Sequence, residues 1–489
     1  MEKIVSVMKN IFGDLFEVDV FFKAVLLLFA FGLMVVFLKI PITFGVYFTF
    51  FSLLLLIFFM FSECSNLCKS ALLLFSIGAV MGLAVLYYSP IFHTKEYSSL
   101  IKVKEINATN VIVSDANKVR KVTKDMALMK ANKILGRKIN GVEINTQYEI
   151  DNGYIVKFKN HQYWVFPLQY SGFVKWLNQD NVPGYIMVSA VNPYDEPIFV
   201  EKSYKYDTSS YFTQDVRRIF LIKNNFMPVR IRFEIDENKN PYWIGIGLKY
   251  KYFGHVYDVD KIFVMNAKTG EIKTYDINNA PKWIDVLYPE DVINDYIEYY
   301  GKYRNGFVNY ITGNNVINPT KYDGKELWLV ENKLNNNLKW FSGMSSENRK
   351  DNSLSSVILV DSKNLNAYII ENVVGIMDEK GAIDAINAKL GVNSIKWTAV
   401  LPMAFIKNNK WFWVASIIDK NTYFYQKEGI VDGKNPNYVY FANSLSDIMI
   451  ESSNKQMKND GVVTKQKIYN KINKIENELK ELKAMLKKL

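Results

Sequence analysis

The sequence predicts an α+β protein with N-terminal transmembrane helices, followed by tandem units that each combine a helix with an antiparallel sheet, and a C-terminal coiled coil. Three observations support this fold class. Long apolar runs fill much of the chain before Tyr88, a helix-then-strands pattern recurs four times after them, and a heptad pattern ends the chain. With 489 residues the chain is too long for one hydrophobic core, so several folding units are expected.

A membrane anchor is predicted over residues 1–90 from three apolar runs, at 24–40, 42–61 and 70–88. Each run has about the 20 residues that a helix needs to cross roughly 30 Å of hydrocarbon. A cleaved signal peptide is the alternative for the first run, but no small-residue cleavage site precedes the second run. We therefore expect an integral, multi-pass membrane protein.

Residues 89–489 are expected outside the cytoplasm. The lysines that flank the three runs do not set the orientation. The only cysteines, Cys64 and Cys68, lie between the second and third runs. A soluble part without cysteine suits an oxidising exterior, although it suits a Lys- and Asn-rich composition equally well.

The soluble part is predicted to contain four units, because a helix-period segment is followed by strand-period segments four times. In each unit a strand carries a tryptophan after an Asn-containing turn, at Trp164, Trp243, Trp340 and Trp413. A later apolar strand is aligned on Val188, Val264, Val360 and Val439. The expected boundaries are 91–205, 206–285, 286–375 and 376–452, with a linker and coiled coil over 453–489.

Two units carry stretches that resemble the PepSY type of small module. They are "NPYWIGIGL" (240–248) with "VMNAKTGEIKTY" (264–275), and "AIDAINAKLG" (382–391) with "KWFWVASIID" (410–419). The resemblance implies PepSY-like helix-plus-antiparallel-sheet units in an extracytoplasmic or membrane-associated binding or regulatory protein. It implies no catalytic residues.

The chain lacks the residue patterns of the common enzyme classes. Its three histidines, His93, His161 and His255, are isolated, and the soluble part has no cysteine to complete a zinc site or a nucleophile pair. Nucleotide-binding, acyl-transfer and metalloprotease motifs are absent. Acidic clusters at 234–238, 258–261 and 288–300 could offer oxygen ligands to Ca²⁺, but none has the spacing of a calcium loop. We predict no catalytic residue, cofactor or metal.

The outward aromatic rings are the candidate partner-binding residues. A Tyr-Trp pair on a strand points one ring to the helix-covered face and the other outward. The outward rings Tyr163, Tyr242 and Phe412 are therefore the candidates for a strip that binds a peptide or a glycan. A row of outward aromatic rings along adjoining units is more often the interface between those units.

The remaining partner predictions come from charge and from the tail. The formal net charge of +11 is spread along the chain, which argues against a nucleic-acid partner. At the carboxy terminus apolar residues recur in steps of four and three, a pattern typical of a coiled coil. They are Ile468, Ile472, Ile475, Leu479, Leu482, Leu486 and Leu489. We expect a homo-oligomer, with the copy number open.

The predicted function is that of a non-catalytic, membrane-anchored scaffold or binding protein. It would present a repeated α+β array to a protein partner and self-associate through the coiled coil. The alternative is a subunit of a membrane pore or transport assembly. The interiors of the apolar runs lack the charged residues that mark a transport path, which weakens this alternative.

Overall fold

The computed structural model describes residues 87–443 except 114, 137, 140–141, 253–254, 347–351 and 372. The α-helices that lie wholly within this part are α1 Thr94–Ser98, α2 Ala108–Val111, α3 Lys124–Leu135, α4 Phe173–Asn178, α5 Val216–Lys223, α6 Glu290–Tyr303, α7 Phe307–Thr312 and α8 Glu379–Leu390. Short 3₁₀ helices lie at Ala116–Lys118, Ile144–Thr146, Phe212–Gln214, Ile277–Asn279 and Gly391–Ile395.

The strands run in chain order from β1 to β21. The first eleven are β1 Lys102–Glu105, β2 Lys138–Ile139, β3 Val142–Glu143, β4 Tyr148–Ile150, β5 Tyr154–Phe158, β6 His161–Tyr170, β7 Tyr185–Ser189, β8 Ile198–Val200, β9 Val229–Ile235, β10 Pro241–Lys251 and β11 Val256–Asn266. The others are β12 Ile272–Tyr275, β13 Ile317–Pro319, β14 Trp328–Val330, β15 Lys339–Ser346, β16 Ser356–Asp361, β17 Asn366–Ile370, β18 Trp397–Lys407, β19 Lys410–Asp419, β20 Tyr425–Asp432 and β21 Asn435–Ala442.

These strands form four larger sheets, and a helix precedes each of them in the chain. The first sheet has the order β4-β6-β7-β8 with β5 also paired to β6, and it follows α3. The second has the order β12-β11-β10-β9 and follows α5. The third has the order β1-β17-β16-β15-β13 with β14 also paired to β15. Its strands β13 to β17 follow α6, whereas β1 comes from much earlier in the chain. The fourth has the order β18-β19-β20-β21 and follows α8.

The same hydrogen bonds attach each sheet to the segment before its helix. In every sheet a buried tryptophan donates its indole N–H to a backbone carbonyl. The pairs are Trp164 to Val122 at 2.8 Å, Trp243 to Tyr206 at 2.9 Å, Trp340 to Tyr288 at 3.0 Å and Trp413 to Met377 at 2.9 Å. We call this bond, together with the backbone bond described next, the tryptophan clasp.

The second bond of the clasp runs in the opposite direction. The N–H of Val122, Tyr206, Tyr288 and Met377 donates to the carbonyl of Ala190, Ala267, Ser362 and Gly433, respectively. Each acceptor lies two residues beyond the ladder partner of the tryptophan, which is Val188, Met265, Val360 or Val431. The four tryptophans therefore occupy equivalent positions. The sequence alignment was wrong at Val264, which lies one residue too early, and at Val439, which lies on the next strand opposite Val431.

The third sheet lies between two hydrophobic cores. Trp340 and Ile358 belong to the core that also contains the first and second sheets, whereas Phe341, Val357 and Leu359 belong to the core of the fourth sheet. Alternate residues of a strand face opposite sides, so this sheet is buried on both faces. All six residues of β16 are accordingly buried.

The predicted α+β fold class is wrong, because sheet dominates the part of the chain that the structure describes. Twenty-one strands there accompany eight α-helices, and the longest of these helices, α6, has 14 residues. The helical periodicity seen in the sequence is real, but each such segment supplies one helix against a sheet of several strands.

The predicted membrane protein is also contradicted. Among the described residues, none of the helices combines the length and the apolar character that crossing a membrane requires. This finding overturns the expected integral, multi-pass location. The runs at 24–40 and 42–61, residues 70–86 of the third run, and the predicted coiled coil lie outside the described residues.

Candidate functional site

A groove of about 520 Å³ opens between the first and fourth sheets. Its volume lies within the range of about 300–1,000 Å³ typical of small-ligand pockets. Residues of β6, β7, β20 and the loop after β7 form most of its walls. The lining residues are Asn117, Lys121, His161, Gln162, Tyr163, Ser189, Val191, Asn192, Pro193, Tyr194, Asp195, Tyr425, Glu428 and Asn443.

An ion pair joins the two walls. Lys121 Nζ lies 2.6 Å from Glu428 Oε1, and Glu428 is only 1% exposed. Ser416 Oγ, on β19, also donates to the carbonyl of Lys121 at 2.6 Å. Lys121 immediately precedes Val122, and its N–H donates to Ala190 like that of Val122, so the first clasp fixes the position of this lysine. The ion pair therefore sets the spacing of the two sheets at the groove.

The rim beside β7 is built by a polar turn. Ser189 Oγ accepts the N–H of Asn192 at 3.0 Å, and Asn192 Oδ1 accepts the N–H of Tyr194 at 3.1 Å. Side chains of this kind compete for local backbone groups and favour turns over strands. The turn holds Tyr194 outward, where it is 65% exposed.

Three tyrosine rings border the groove. The rings of Tyr194 and Tyr425 meet edge to face, with centroids 5.5 Å apart, across the gap between the two sheets. Burial, with the Glu428 carboxylate nearby, raises the pKa of Tyr425. Burial also raises the pKa of Tyr163, with Asp195 adding to the effect. Both hydroxyls therefore stay protonated at neutral pH, and the hydroxyl of Tyr425 donates to the carbonyl of Asn443 at 3.5 Å.

Gln162 supplies a buried acceptor at the groove. This side chain is 1% exposed, and its Nε2 donates to the carbonyl of Lys118 at 3.4 Å. Its Oε1 has no hydrogen-bond partner. Among the described residues this oxygen is thus a buried acceptor without a donor, which costs about 1–3 kcal/mol.

The three aromatic residues predicted as partner-binding lie in different surroundings. Tyr163 lines the groove. Tyr242 packs on Trp283, with ring centroids 4.9 Å apart. Phe412 is half-buried against the core of the fourth sheet. Within the described part of the chain, no ring contact joins any two of the three. The oligomerisation residues Ile468 to Leu489 lie outside that part.

The predicted acidic clusters are used within the fold. Asp236 accepts the N–H groups of Asn238 and Asn240 and so closes its own turn. Asp291, in the first turn of α6, pairs with Arg230 at 2.7 Å. In the described ranges, no group of three or more His, Cys, Asp or Glu side chains is placed to hold a metal ion.

A second polar cluster lies where the first three sheets meet. Burial raises the pKa of Glu234 to about 8, although Arg232 lies 2.7 Å from its carboxylate. Burial likewise raises the pKa of Asp285, which accepts the backbone N–H of Lys157. Arg232 also donates to the carbonyl of Ile155 at 2.8 Å. These bonds connect the first sheet to the second and to the segment before α6, so the cluster is part of the packing between these elements.

Sequence reasoning missed most of the groove. Lys121, Gln162 and Glu428 carry no motif, and the residues that meet across the groove come from opposite ends of the described chain. The one usable signal was "VNPYDEP" (191–197), whose Asn-Pro step marks a turn.

No family model matches the chain, and no curated protein matches it by sequence. The resemblance to PepSY modules therefore remains a prediction from the stretches quoted above.

Proposed function

We propose that this chain is a non-catalytic binding protein whose four sheets form a frame and whose groove between the first and fourth sheets holds part of a partner molecule. The observation that carries this proposal is a ligand-sized groove that combines half-buried tyrosine rings with the buried, unpartnered acceptor of Gln162. Concave sites that combine aromatic rings with a few fixed polar groups are typical of binding sites.

The polar groups of the groove support binding rather than chemistry. Lys121 and Glu428 neutralise each other, and Ser189 Oγ already accepts the N–H of Asn192. Groups held in this way keep the walls in place and position a ligand. Self-association through Ile468 to Leu489 stays a prediction about residues outside the described part.

The experiment compares two tyrosines that precede a clasp tryptophan, Tyr163 in the groove and Tyr242 outside it. Libraries of peptides and of oligosaccharides are screened with the full chain, and each ligand found is titrated calorimetrically. We expect Tyr163→Ala to weaken binding at least about tenfold, which corresponds to about 1.4 kcal/mol. Tyr242→Ala is the matched control and should leave the affinity unchanged. Ligands that are insensitive to Tyr163→Ala and Tyr425→Ala contradict the proposal.

A further inference from the structure

The walls of the groove narrow the class of ligand, on the condition that the proposed binding function holds. We infer that the groove binds a neutral carbohydrate. The inference rests on three features of the lining: its strands, its charge, and the kind of polar and aromatic groups that it offers.

Two of the described wall strands, β6 and β20, offer no open edge. β6 is paired on one side with β5 and on the other with β7. β20 is paired on both sides as well, with β19 and β21. A peptide that binds by strand addition needs the unpaired backbone groups of an edge strand. Recognition at β6 and β20 must therefore come from side chains.

The charge of the lining disfavours an anionic ligand. The described lining residues include one lysine and no arginine, and Lys121 is already paired with Glu428 at 2.6 Å. Asp195 adds a second carboxylate to the same walls. Phosphate, sulfate and acidic groups are recognised by clusters of arginine or lysine, which these walls do not provide.

The remaining groups match a hydroxyl-rich, uncharged ring. Tyr163, Tyr194 and Tyr425 present flat apolar faces with a polar tip, on which the C–H face of a sugar can lie. Asn117 and Asn443 offer amides, each with an acceptor and two donors, while Gln162 offers its acceptor because its Nε2 already donates to Lys118. A sugar hydroxyl both donates and accepts. The unpartnered Oε1 of Gln162 would accept a sugar hydroxyl proton.

The test uses the full chain and a panel of neutral oligosaccharides, built from glucose, galactose, mannose, xylose or N-acetylglucosamine. Binding is measured by calorimetry and by saturation-transfer NMR. We expect at least one neutral series to bind, with affinity reduced at least about tenfold by Tyr163→Ala and by Gln162→Leu. Tyr194→Ala changes an exposed residue at the rim, so this substitution should leave the fold intact, and it should also weaken binding. Tyr242→Ala should not.

Two further arms separate the possible failures. Acidic oligosaccharides and a peptide library are titrated in parallel, at low and high salt. Affinity for a neutral sugar should not change with salt, since screening acts on charged ligands. If Tyr163→Ala weakens the binding of acidic sugars or peptides only, the assignment of a neutral carbohydrate is overturned and the binding function stands. If no ligand in any arm responds to the groove variants, both proposals fall.

Discussion

The first and third sheets use the same clasp but differ at the residue before the tryptophan. In the first sheet this residue is Tyr163, which is half-buried at the groove. In the third sheet it is Lys339, which is 0% exposed and lies 2.9 Å from Asp361. The two positions point away from the clasp, and their surroundings differ because the third sheet is covered on both faces. The comparison teaches that the clasp is the same in both units, whereas the residue before the tryptophan packs inside the fold in one unit and borders the groove in the other.

The largest expected effect follows from the buried lysine. Lys339→Met removes the cation beside Asp361 and leaves a buried carboxylate without its main partner, which should cost about 3–5 kcal/mol of unfolding free energy. Urea denaturation measures this cost. Tyr163→Ala, at the equivalent position of the first sheet, should cost less than half as much. Equal losses at both positions would break the comparison.

A matched double variant sharpens this prediction. Asp361→Asn in the Lys339→Met background removes the stranded charge. The single amide oxygen at the position of Oδ1 can still accept from Asn337 and from the N–H of Lys363. This double variant should recover part of the lost stability. A double variant that is less stable than Lys339→Met alone would contradict the role assigned to this ion pair.

The next effect depends on pH and concerns the residue after the clasp. In the second unit Asp207 follows Tyr206, and burial raises the pKa of Asp207 from 3.8 to about 7. The folded state holds this proton more tightly, so the stabilisation is complete below about pH 4 and is lost as the pH rises through about 7. At about 1.4 kcal/mol per pH unit, the loss amounts to ~4 kcal/mol.

Asp207→Asn should remove this pH dependence. The amide can keep the bonds that Ser209 donates to the carboxylate and cannot ionise. The unfolding free energy of the variant, relative to the native chain, should therefore rise between about pH 4 and pH 8. The charge of Asp151 also raises the pKa of Asp207. The control is Asp260→Asn, which removes a surface carboxylate beside Lys249. A difference that does not change with pH would contradict the assignment.

Replacing the clasp tryptophans tests their equivalence. Tryptophan to phenylalanine at Trp164, Trp243, Trp340 or Trp413 leaves a buried carbonyl without its donor, which costs about 1–3 kcal/mol, with lost packing in addition. The four losses should be similar because the four bonds are alike. Trp176→Phe is the control, since Trp176 donates to the Gln214 side chain near the surface. If any one of the four variants loses no more stability than Trp176→Phe, the four tryptophans are not equivalent.

The smallest expected effect separates capped helices from an uncapped one. Thr123 and Asp378 cap α3 and α8 by accepting the N–H groups of Met126 and Gly381. Thr123→Ala and Asp378→Ala should each cost about 1 kcal/mol in thermal or urea unfolding. Pro289 precedes α6 without a side-chain cap, so Pro289→Ala should cost less. An equal cost at all three sites would count against the caps.

Part of this fold could be read from the sequence because local patterns determine it. The apolar residues of 124–136 and of 378–391 recur with the period of a helix, and the structure has helices at Lys124–Leu135 and Glu379–Leu390. Gly136 and Gly391 ended the apolar period in both cases. The tryptophans aligned correctly because each follows its turn at a short, constant distance.

The rest depends on contacts that no local pattern records. Val431 and Val439 were interchangeable in sequence because both lie on apolar strands that pair with each other. Tyr163, Tyr242 and Phe412 look alike in sequence, but what covers each ring is decided by a different neighbouring element. The groove could not be predicted from the sequence because its walls are joined by residues such as Lys121 and Ser416, which lie 295 positions apart.

The strand β1 has a consequence for how the chain folds during synthesis. It precedes every other strand of the four larger sheets, yet it pairs in parallel with β17, Lys102 opposite Asn366. A nascent chain therefore makes this strand early and must keep it unpaired until residues near Asn366 leave the ribosome. Arrays of stacked repeats can fold one repeat at a time, because each repeat contacts only its neighbours. Here the edge of the third sheet is covered only when the beginning of the chain returns to it, so the last steps of folding couple distant parts of the polypeptide.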